Sequence, residues 1–250
     1  AGLLGRYLVA RLLARGDDVI AVDALNRFRM FGDETRRQPV PAVCRHERCL
    51  FVESEFDDPD VLALMEEDGV DAVVHAAAQT SHPRSIDTPW EDFRINAIGT
   101  VLLLEALRKM ERRPRLVFIG SAKVYGENVT HDFKWSLSPP EVSATRILPP
   151  RWVGDLETDS GRWYHVDFGN PNCIAAVNER CPIGDQTIMT PFGVSKATGD
   201  LMAQQYARLY GMDIVVLRPG CFTGPSSNAV VEQNWLPLLV RAMEQEAGLV

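Results

Sequence analysis

The chain has 250 residues, 46% of them hydrophobic and 24% charged, which predicts one large globular domain, alone or with a smaller second one. Its net charge of −8 and the absence of a long basic block argue against nucleic-acid binding. No apolar run reaches the length of a membrane span, and the five cysteines match no common zinc or disulfide pattern. We therefore expect a cytoplasmic protein with no membrane contact and no metal; CRHERC (44–49) is interpreted as a loop rather than a ligand set.

The first third of the chain alternates between helical spacing and short apolar runs. Residues 5–16 have apolar positions at helical spacing, and the apolar run that follows ends at Asp23. Residues 49–54 are typical of a second strand. Asp58 followed by Pro59 predicts the start of another helix, because an aspartate caps a helix well and proline suits its first position.

The same alternation continues toward the C-terminus. Apolar strands that alternate with helices are covered on both faces, which predicts an α/β fold with a doubly wound parallel sheet. The further predicted elements are a strand at 71–78, a long helix at 89–111, a strand at 115–121, a helix at 192–210 and a strand at 213–220.

Residues 127–190 interrupt the pattern with paired prolines and no sustained period, and we predict that they form an insertion. Its tryptophans, Trp135, Trp152 and Trp163, indicate either a lid over a site or simple packing. The predicted nucleotide-binding domain then comprises 1–126 and 191–220, with its first strand missing. Residues 221–250, which include an amphipathic stretch, would begin a smaller, truncated substrate-binding domain.

Two glycines and an aspartate near the N-terminus suggest a dinucleotide site. Gly2 and Gly5 precede a helix as the later part of a glycine-rich phosphate turn would, so that a pyrophosphate could sit at the positive end of the helix. Asp23 lies 18 residues after Gly5, at a strand end, where an acid binds ribose hydroxyls and repels a 2′-phosphate. NAD is therefore favoured over NADP. Asp23 as a surface residue is the alternative, and Arg27 and Arg29 lie close enough to weaken the exclusion of NADP.

Five segments, AGLLG, VVHAAAQTS, INAIGT, IGSAKVYG and PFGVSK, occur together in one characteristic order and spacing. In this the chain resembles, over essentially its whole length, the extended short-chain dehydrogenase/reductases, the NAD-dependent sugar-nucleotide epimerase/dehydratase family. Within that family, RFRMFGDE, AAQTSH and KVYGE are most similar to the group of CDP-paratose 2-epimerases. The resemblance implies a Rossmann domain, a bound NAD, a nucleotide-sugar substrate and a homodimer.

The resemblance also assigns roles to individual residues. Ser121, five positions before Gly126, matches the catalytic serine of the family, and Lys196 matches the lysine that holds the nicotinamide ribose and lowers the pKa of a catalytic tyrosine. Positions matching cofactor contacts are Gly2, Leu3 and Leu4 for the pyrophosphate, Asp23 for the ribose, Glu55 and Phe56 for the adenine, Ala76, Ala77 and Ala78 along the cofactor, Asn96 behind the active site, and Pro219 and Cys221 near the carboxamide.

Phe192 departs from the family pattern, because it occupies the position of the catalytic tyrosine and has no ionisable proton. Oxidation of a carbinol also requires loss of the hydroxyl proton. Tyr125 could supply the missing hydroxyl, or a group of the insertion such as Tyr164 or His165 could do so. The third alternative is a protein that binds NAD and a sugar nucleotide without turnover.

The sequence also distinguishes two reactions of the family. The dehydratases carry an Asp-Glu pair directly after the catalytic hydroxyl residue, whereas this chain has Ala122 and Lys123 there. Elimination needs an acid and a base at the sugar, so we expect epimerisation of a nucleotide-linked sugar, by transient oxidation to a keto-sugar and return of the hydride.

Overall fold

A computed structural model of the chain describes residues 1–30, 38–126, 183–184, 189–222 and 224, and the backbone of four short strands between 151 and 167. The chain forms two compact units, Ala1–Lys123 with Thr190–Val250, and Val124–Met189. Residues Trp135, Tyr164 and His165 and the stretch 225–250 lie outside the described residues, as do the side chains of Trp152 and Trp163.

Helices and parallel strands alternate along the first unit. Its helices are α1 (Leu3–Arg15), α2 (Arg27–Met30), α3 (Pro59–Glu67), α4 (His82–Asp87), α5 (Pro89–Phe93), α6 (Gly99–Lys109) and α7 (Pro191–Tyr210). Its strands are β1 (Val19–Val22), β2 (Cys49–Val52), β3 (Ala72–His75), β4 (Arg115–Ile119) and β9 (Ile214–Leu217). Shorter turns of helix are the 3-10 turns Ala42–Arg45 and Ala122–Tyr125, the latter running into the second unit, and the π-helical turn Arg94–Ile98.

The described part of the second unit consists of short antiparallel pairs. Strand β5 (Arg151–Trp152) pairs with β8 (Val166–Asp167), and β6 (Leu156–Thr158) pairs with β7 (Gly161–Trp163). The sequence predicted an insertion here without regular elements, so these strands are an addition to that prediction.

The strands of the first unit form two parallel sheets. In one, β1 pairs with β2, and in the other the order is β3-β4-β9, with Val74 opposite Val117 and Val117 opposite Val215. The predicted strands are therefore present, but the third is shorter than predicted. It ends at His75, so Ala76, Ala77 and Ala78 lie beyond its carboxyl end.

Local sequence signals explain where most helices begin and end. The Asp58 side chain accepts the amide of Asp60 at 2.9 Å and so caps α3, with Pro59 as its first residue. Helix α1 ends at Gly16, whose φ of 95° lies in the left-handed region that glycine adopts readily. The Thr190 hydroxyl caps α7 through the amide of Gly193.

The long helix predicted at 89–111 is interrupted. Residues 94–98 form a π-helical turn between α5 and α6. Such turns insert one extra residue into a helix and are frequent at functional sites. The buried Asn96 lies within this turn, and its side chain hydrogen-bonds Gln79, Asp92 and Ser195, of which only Asp92 is near it in sequence.

The main core joins the three-stranded sheet to the helices α6 and α7. Leu103, Leu104 and Leu107 of α6 are almost completely buried, as are Leu116 and Phe118 of β4. Helix α7 also packs closely on β4, since a Cβ placed on Gly199 would lie 2.9 Å from Cζ of Phe118. The first turns of α7 are therefore held against the carboxyl end of β4.

No helix among the described residues is both long and apolar enough to cross a membrane. Within the same residues, no three histidine, cysteine or acidic side chains group as a metal site would require. Cys44 and Cys49 of the CRHERC segment are free thiols, one buried and one half-buried.

Candidate functional site

The candidate site lies where β3, β4 and β9 reach their carboxyl ends. Strand carboxyl ends form the ligand-binding edge of a doubly wound sheet. Gly120 and Ser121 follow β4 directly, and the amide of Ala122 donates to the Pro219 carbonyl beyond β9 at 2.9 Å. The structure thus brings Ser121 and Pro219, predicted from separate motifs, to the same edge.

Lys196 is buried at this edge, with 5% of its surface exposed. Its Nζ donates to the Ile119 carbonyl at 2.9 Å and lies 5.3 Å from the centre of the Phe118 ring. Burial lowers the pKa of Lys196 to about 8, and the charge of Asp92 opposes that shift. Within the part of the chain that the structure describes, the ammonium makes this one hydrogen bond, so it can donate two further protons to a ligand.

Ser121 is half-buried and its hydroxyl is arranged by the local backbone. The Oγ atom accepts the amide of Lys123 at 3.1 Å, which fixes the turn that follows the strand. Lys123 itself is exposed. Tyr125, the predicted substitute for the missing tyrosine, is buried and belongs to the unit Val124–Met189.

A buried polar network holds the helices behind Lys196 in place. The Asn96 amide donates to the Gln79 carbonyl at 3.0 Å and to Asp92 Oδ1 at 3.1 Å, and Asn96 Oδ1 accepts the Gln79 amide. The Ser195 hydroxyl donates to Asp92 Oδ2 at 2.5 Å. Burial raises the pKa of Asp92, while the Ser195 hydrogen bond and the Lys196 charge oppose the increase. Ser195 and Lys196 are consecutive, so this network fixes the start of α7.

Phe192 lies in the same part of α7, with 5% of its surface exposed. Its ring packs against the ring of His82, with centroids 4.5 Å apart and planes at 58°. Phe192 and Lys196 are four residues apart and therefore share one helix face. The aromatic position predicted from the family pattern is thus close to Lys196 in space, and it carries no hydroxyl.

The predicted pyrophosphate site is the start of α1. The helix has Gly2 as its N-cap, no side chain caps it, and its first turn carries no acidic residue. The first amides of a helix have no partner within it, so they remain available to an anion. A Cβ placed on Gly2 or Gly5 would meet nothing within 4 Å, and Gly2 itself is exposed. This end of α1, with Leu3 and Leu4 in its first turn, fits a phosphate group.

Asp23 follows β1 directly and is part of a tight turn. Its Oδ1 accepts the amide of Leu25 at 2.8 Å. Leu25 has a φ of 52°, unusual for a residue other than glycine. The carboxylate is partly exposed, so it can still meet ribose hydroxyls.

The other predicted cofactor residues differ in exposure. Glu55 is half-buried, accepts a hydrogen bond from Asn26 at 3.1 Å, and has its pKa raised by burial. Phe56 is buried in the core, with its ring centroid 4.5 Å from that of His75. Exposed or half-buried side chains are found at the remaining positions, Ala76, Ala77, Ala78, Pro219 and Cys221.

Sequence reasoning missed three side chains of this site, Gln79, Asp92 and Ser195. Asp92 and Asn96 are four positions apart, a spacing that places them on one helix face, and Ser195 is the neighbour of Lys196. These spacings were visible signals. The contact of His82 with Phe192 joins residues 110 positions apart and left no local signal.

The comparison with known families decides the identity of the fold. The model of the NAD dependent epimerase/dehydratase family matches residues 1–145 and 168–250. The chain belongs to this family.

Individual members of the epimerase/dehydratase family are distant relatives. CDP-paratose 2-epimerase from Salmonella typhi is 28% identical over 94% of this chain and 59% of its own length. UDP-glucose 4-epimerase from Mycolicibacterium smegmatis is 25% identical over 97% of this chain and 60% of its own. The chain spans about three fifths of the length of these relatives.

Solved structures confirm the predicted α/β Rossmann fold. UDP-glucose 4-epimerase from Thermotoga maritima, solved with UDP-glucose, has a TM-score of 0.64 and 21% identity, over 98% of this chain and 61% of that one. DesIV from Streptomyces venezuelae, a dTDP-glucose 4,6-dehydratase solved as a double mutant with NAD, has a TM-score of 0.61 and 25% identity, over 98% and 60%.

His75 should make the protein sensitive to acid. Complete burial, with a smaller contribution from the Lys196 charge, lowers the pKa of His75 from 6.5 to about 3. Between these values the unfolded chain binds a proton that the folded chain does not, so the free energy of unfolding falls as the pH falls below 6.5. The loss from this residue should be about 2 kcal/mol by pH 5, at 1.36 kcal/mol per unit.

Urea unfolding at pH 7.5 and pH 5.0 measures this effect in the wild type and His75→Gln. The variant should lose less stability between the two pH values than the wild type. His46→Gln removes an exposed histidine and should leave the difference unchanged. Equal losses in wild type and His75→Gln would show that the buried imidazole does not cause the acid sensitivity.

Proposed function

We propose that the protein epimerises a nucleotide-linked sugar with NAD as a bound cofactor. Membership of the epimerase/dehydratase family supports the reaction class. The observation that carries the proposal is Lys196, whose buried ammonium lies at the binding edge of the sheet, beside Ile119 and near Ser121. A buried lysine is uncommon without a partner or a function.

The predicted cofactor residues would hold NAD in the order that the family pattern predicts. The uncapped start of α1, at Gly2, Leu3 and Leu4, would hold the pyrophosphate, and Asp23 the adenosine ribose. NAD, when bound, takes a hydride from a sugar carbon and returns it. Lys196 would hold the nicotinamide ribose and Ser121 would orient the sugar hydroxyl.

Epimerisation is favoured over elimination by the turn after β4. Elimination requires an acid and a base next to the sugar, and the corresponding positions hold Ala122 and Lys123. An alanine carries no proton, and the exposed ammonium of Lys123 cannot act as a carboxylate would.

The second candidate function is binding without turnover, and Phe192 is the observation that favours it. A buried phenyl ring stands four positions before Lys196, where the family pattern has a tyrosine. If no other group moves the hydroxyl proton, NAD and a sugar nucleotide would bind and remain unchanged.

Turnover of labelled sugar nucleotides distinguishes the two functions. Full-length protein loaded with NAD is incubated with sugar nucleotides deuterated in turn at each ring carbon, while the NADH absorbance is recorded. Epimerisation predicts a transient NADH signal and an epimeric product. Phe192→Tyr tests whether the pocket is intact, and turnover in this variant alone would identify the natural protein as a binding protein.

The cofactor preference provides a second test. NAD should bind well over tenfold more tightly than NADP, because a phosphate beside the Asp23 carboxylate costs at least about 1.4 kcal/mol. Asp23→Ala should reduce the ratio of the NAD affinity to the NADP affinity, whereas Asp17→Ala, at the other end of β1, should not change this ratio. Equal calorimetric affinities of the wild type for the two cofactors would contradict the role of Asp23 and direct attention to Arg27 and Arg29.

We also propose that the protein is a homodimer that uses the outer faces of α6 and α7. Val194 and Leu201 are about half exposed and seven residues apart, so they share one face of α7. Leu102 of α6, which packs beside α7, is exposed to a similar extent. Leu201→Lys should shift full-length protein toward monomer in sedimentation measurements, because a charge in an apolar interface is costly.

A further inference from the structure

His82 is the side chain that packs on the ring of Phe192. It is the first residue of α4, directly after the N-cap Ser81, and the two ring centroids are 4.5 Å apart. The contact places an imidazole beside the position where the family pattern has its proton-transferring hydroxyl. Phe192 therefore orients a titratable ring although it cannot titrate itself.

One ring nitrogen of His82 is held by the start of α7. Its Nδ1 lies 3.2 Å from the Thr190 hydroxyl, which also accepts the amide of Gly193. The opposite nitrogen, Nε2, has no hydrogen bond to the part of the chain that the structure describes, and the side chain is half-exposed. If Nδ1–H donates to Thr190, Nε2 carries the free lone pair of the neutral ring.

The surroundings of His82 keep its ring neutral at pH 7. Burial lowers the pKa of His82 below its ordinary value, and the charge of Lys123 lowers it further. From α7 the ring meets Thr190 and Phe192, which do not titrate, and the turn after β4 contributes Lys123. A neutral imidazole is able to accept a proton, which an imidazolium is not.

We propose that His82 replaces the missing tyrosine and accepts the hydroxyl proton of the sugar at Nε2. This inference rests on the proposed epimerase function. The O–H bond breaks, its proton moves to Nε2, and its electron pair forms the carbonyl as the carbon-bound hydrogen leaves as hydride to the nicotinamide. When the hydride returns to the carbonyl carbon, the proton on Nε2 returns to the oxygen.

The ring of His82 is held in a defined position, and the candidates that the sequence suggested stay predictions. Its ring is fixed by Phe192, in the first turn of the helix that carries Lys196, and by Thr190, the N-cap of that helix. Tyr125 is buried in the unit Val124–Met189, and Tyr164 and His165 lie outside the described residues. His82 also lies in the loop-to-helix segment after β3, at the same sheet edge as Ser121.

Turnover measurements with full-length, NAD-loaded protein test the proposal. His82→Gln should lower kcat about 10²- to 10⁴-fold, the usual value of positioned acid/base catalysis, with the calorimetric NAD affinity unchanged. Adding Phe192→Tyr to His82→Gln should restore turnover. His46→Gln, the matched control, should leave kcat unchanged.

If the His82→Gln variant turns over as fast as the wild type, the proposal is overturned and the epimerase function still stands. A wild type without turnover, beside an active Phe192→Tyr, would overturn both. The acid limb of kcat/KM in the wild type should coincide with the pKa of His82 measured by NMR, and a limb unchanged in the rescued double variant would contradict the assignment.

The tautomer of His82 gives a readout that does not depend on activity. In ¹⁵N NMR of NAD-loaded protein at pH 7.5, Nδ1 should be protonated and Nε2 unprotonated, and Nε2 should shift when UDP-glucose or a CDP-sugar is added. A ring protonated at Nε2 would be unable to accept the proton there, and that result would overturn the proposal whatever the kinetics showed.

Discussion

Replacing Lys196 by methionine should weaken NAD binding by about 10- to 100-fold and lower turnover at least as much. The substitution keeps an unbranched side chain, one atom shorter, and removes the ammonium, which donates to the Ile119 carbonyl at 2.9 Å. A hydrogen bond from a charged group contributes about 1.5 to 3 kcal/mol, which corresponds to this change in affinity. Calorimetry with NAD and the full-length protein measures it.

Lys109→Met is the matched control, since Lys109 lies on the exposed side of α6 and pairs there with Glu105. The control should bind NAD as the wild type does. If a folded Lys196→Met protein retains full NAD affinity, Lys196 serves only to hold the carboxyl end of β4, and the cofactor position assigned to it is wrong.

Asp200→Ala should reduce the free energy of unfolding by about 3 to 5 kcal/mol, the cost of removing one partner of a buried ion pair. Asp200 is completely buried and accepts two hydrogen bonds from Arg218, at 2.7 and 2.9 Å, and a third from Gln204. The substitution leaves the Arg218 guanidinium, which is 16% exposed, without this carboxylate. The pair joins α7 to the end of β9.

Asp213→Ala provides the comparison, because Asp213 pairs with Arg115 on the surface, where both side chains are more than half exposed. Exposed pairs contribute at most about 1 kcal/mol. Urea unfolding of both variants should therefore separate them clearly. Equal losses would mean that water reaches the Asp200 site and that α7 is fixed by its apolar contacts alone.

The alternation of helices and strands could be predicted because its signals are local. Gly16, Asp58 and Pro59 each end or begin a helix through their own backbone preference or side-chain hydrogen bond. The π-helical turn at 94–98 could not be predicted in this way. Its central residue, Asn96, hydrogen-bonds Gln79 and Ser195, and the second of these lies 99 positions away.

The residues of the candidate site also fall into two groups, those with a local sequence signal and those that depend on distant contacts. Ser121 and Asp23 were predicted because each directly follows a strand of the alternating pattern, and Lys196 because the motifs fix its place in their order. The burial of Lys196 and the packing of His82 on Phe192 depend on how α4 and α7 meet, which no spacing within either segment specifies. The sequence showed that Phe192 departs from the family pattern, but it did not show that His82 packs on its ring.

Because of the π-helical turn, the direction in which the side chains of α5 point relative to those of α6 depends on the number of residues in segment 94–98. An α-helix advances by about 100° per residue, so deleting one residue between 94 and 98 would restore regular α-helical bonding and turn everything before it by that angle. Asp92 would then point away from Ser195, while Leu103 and Leu104 stayed in the core. A single-residue deletion here would therefore separate Asp92 from the start of α7 more completely than most substitutions would. The length of segment 94–98 is thus a criterion for deciding which homologous chains keep this pocket.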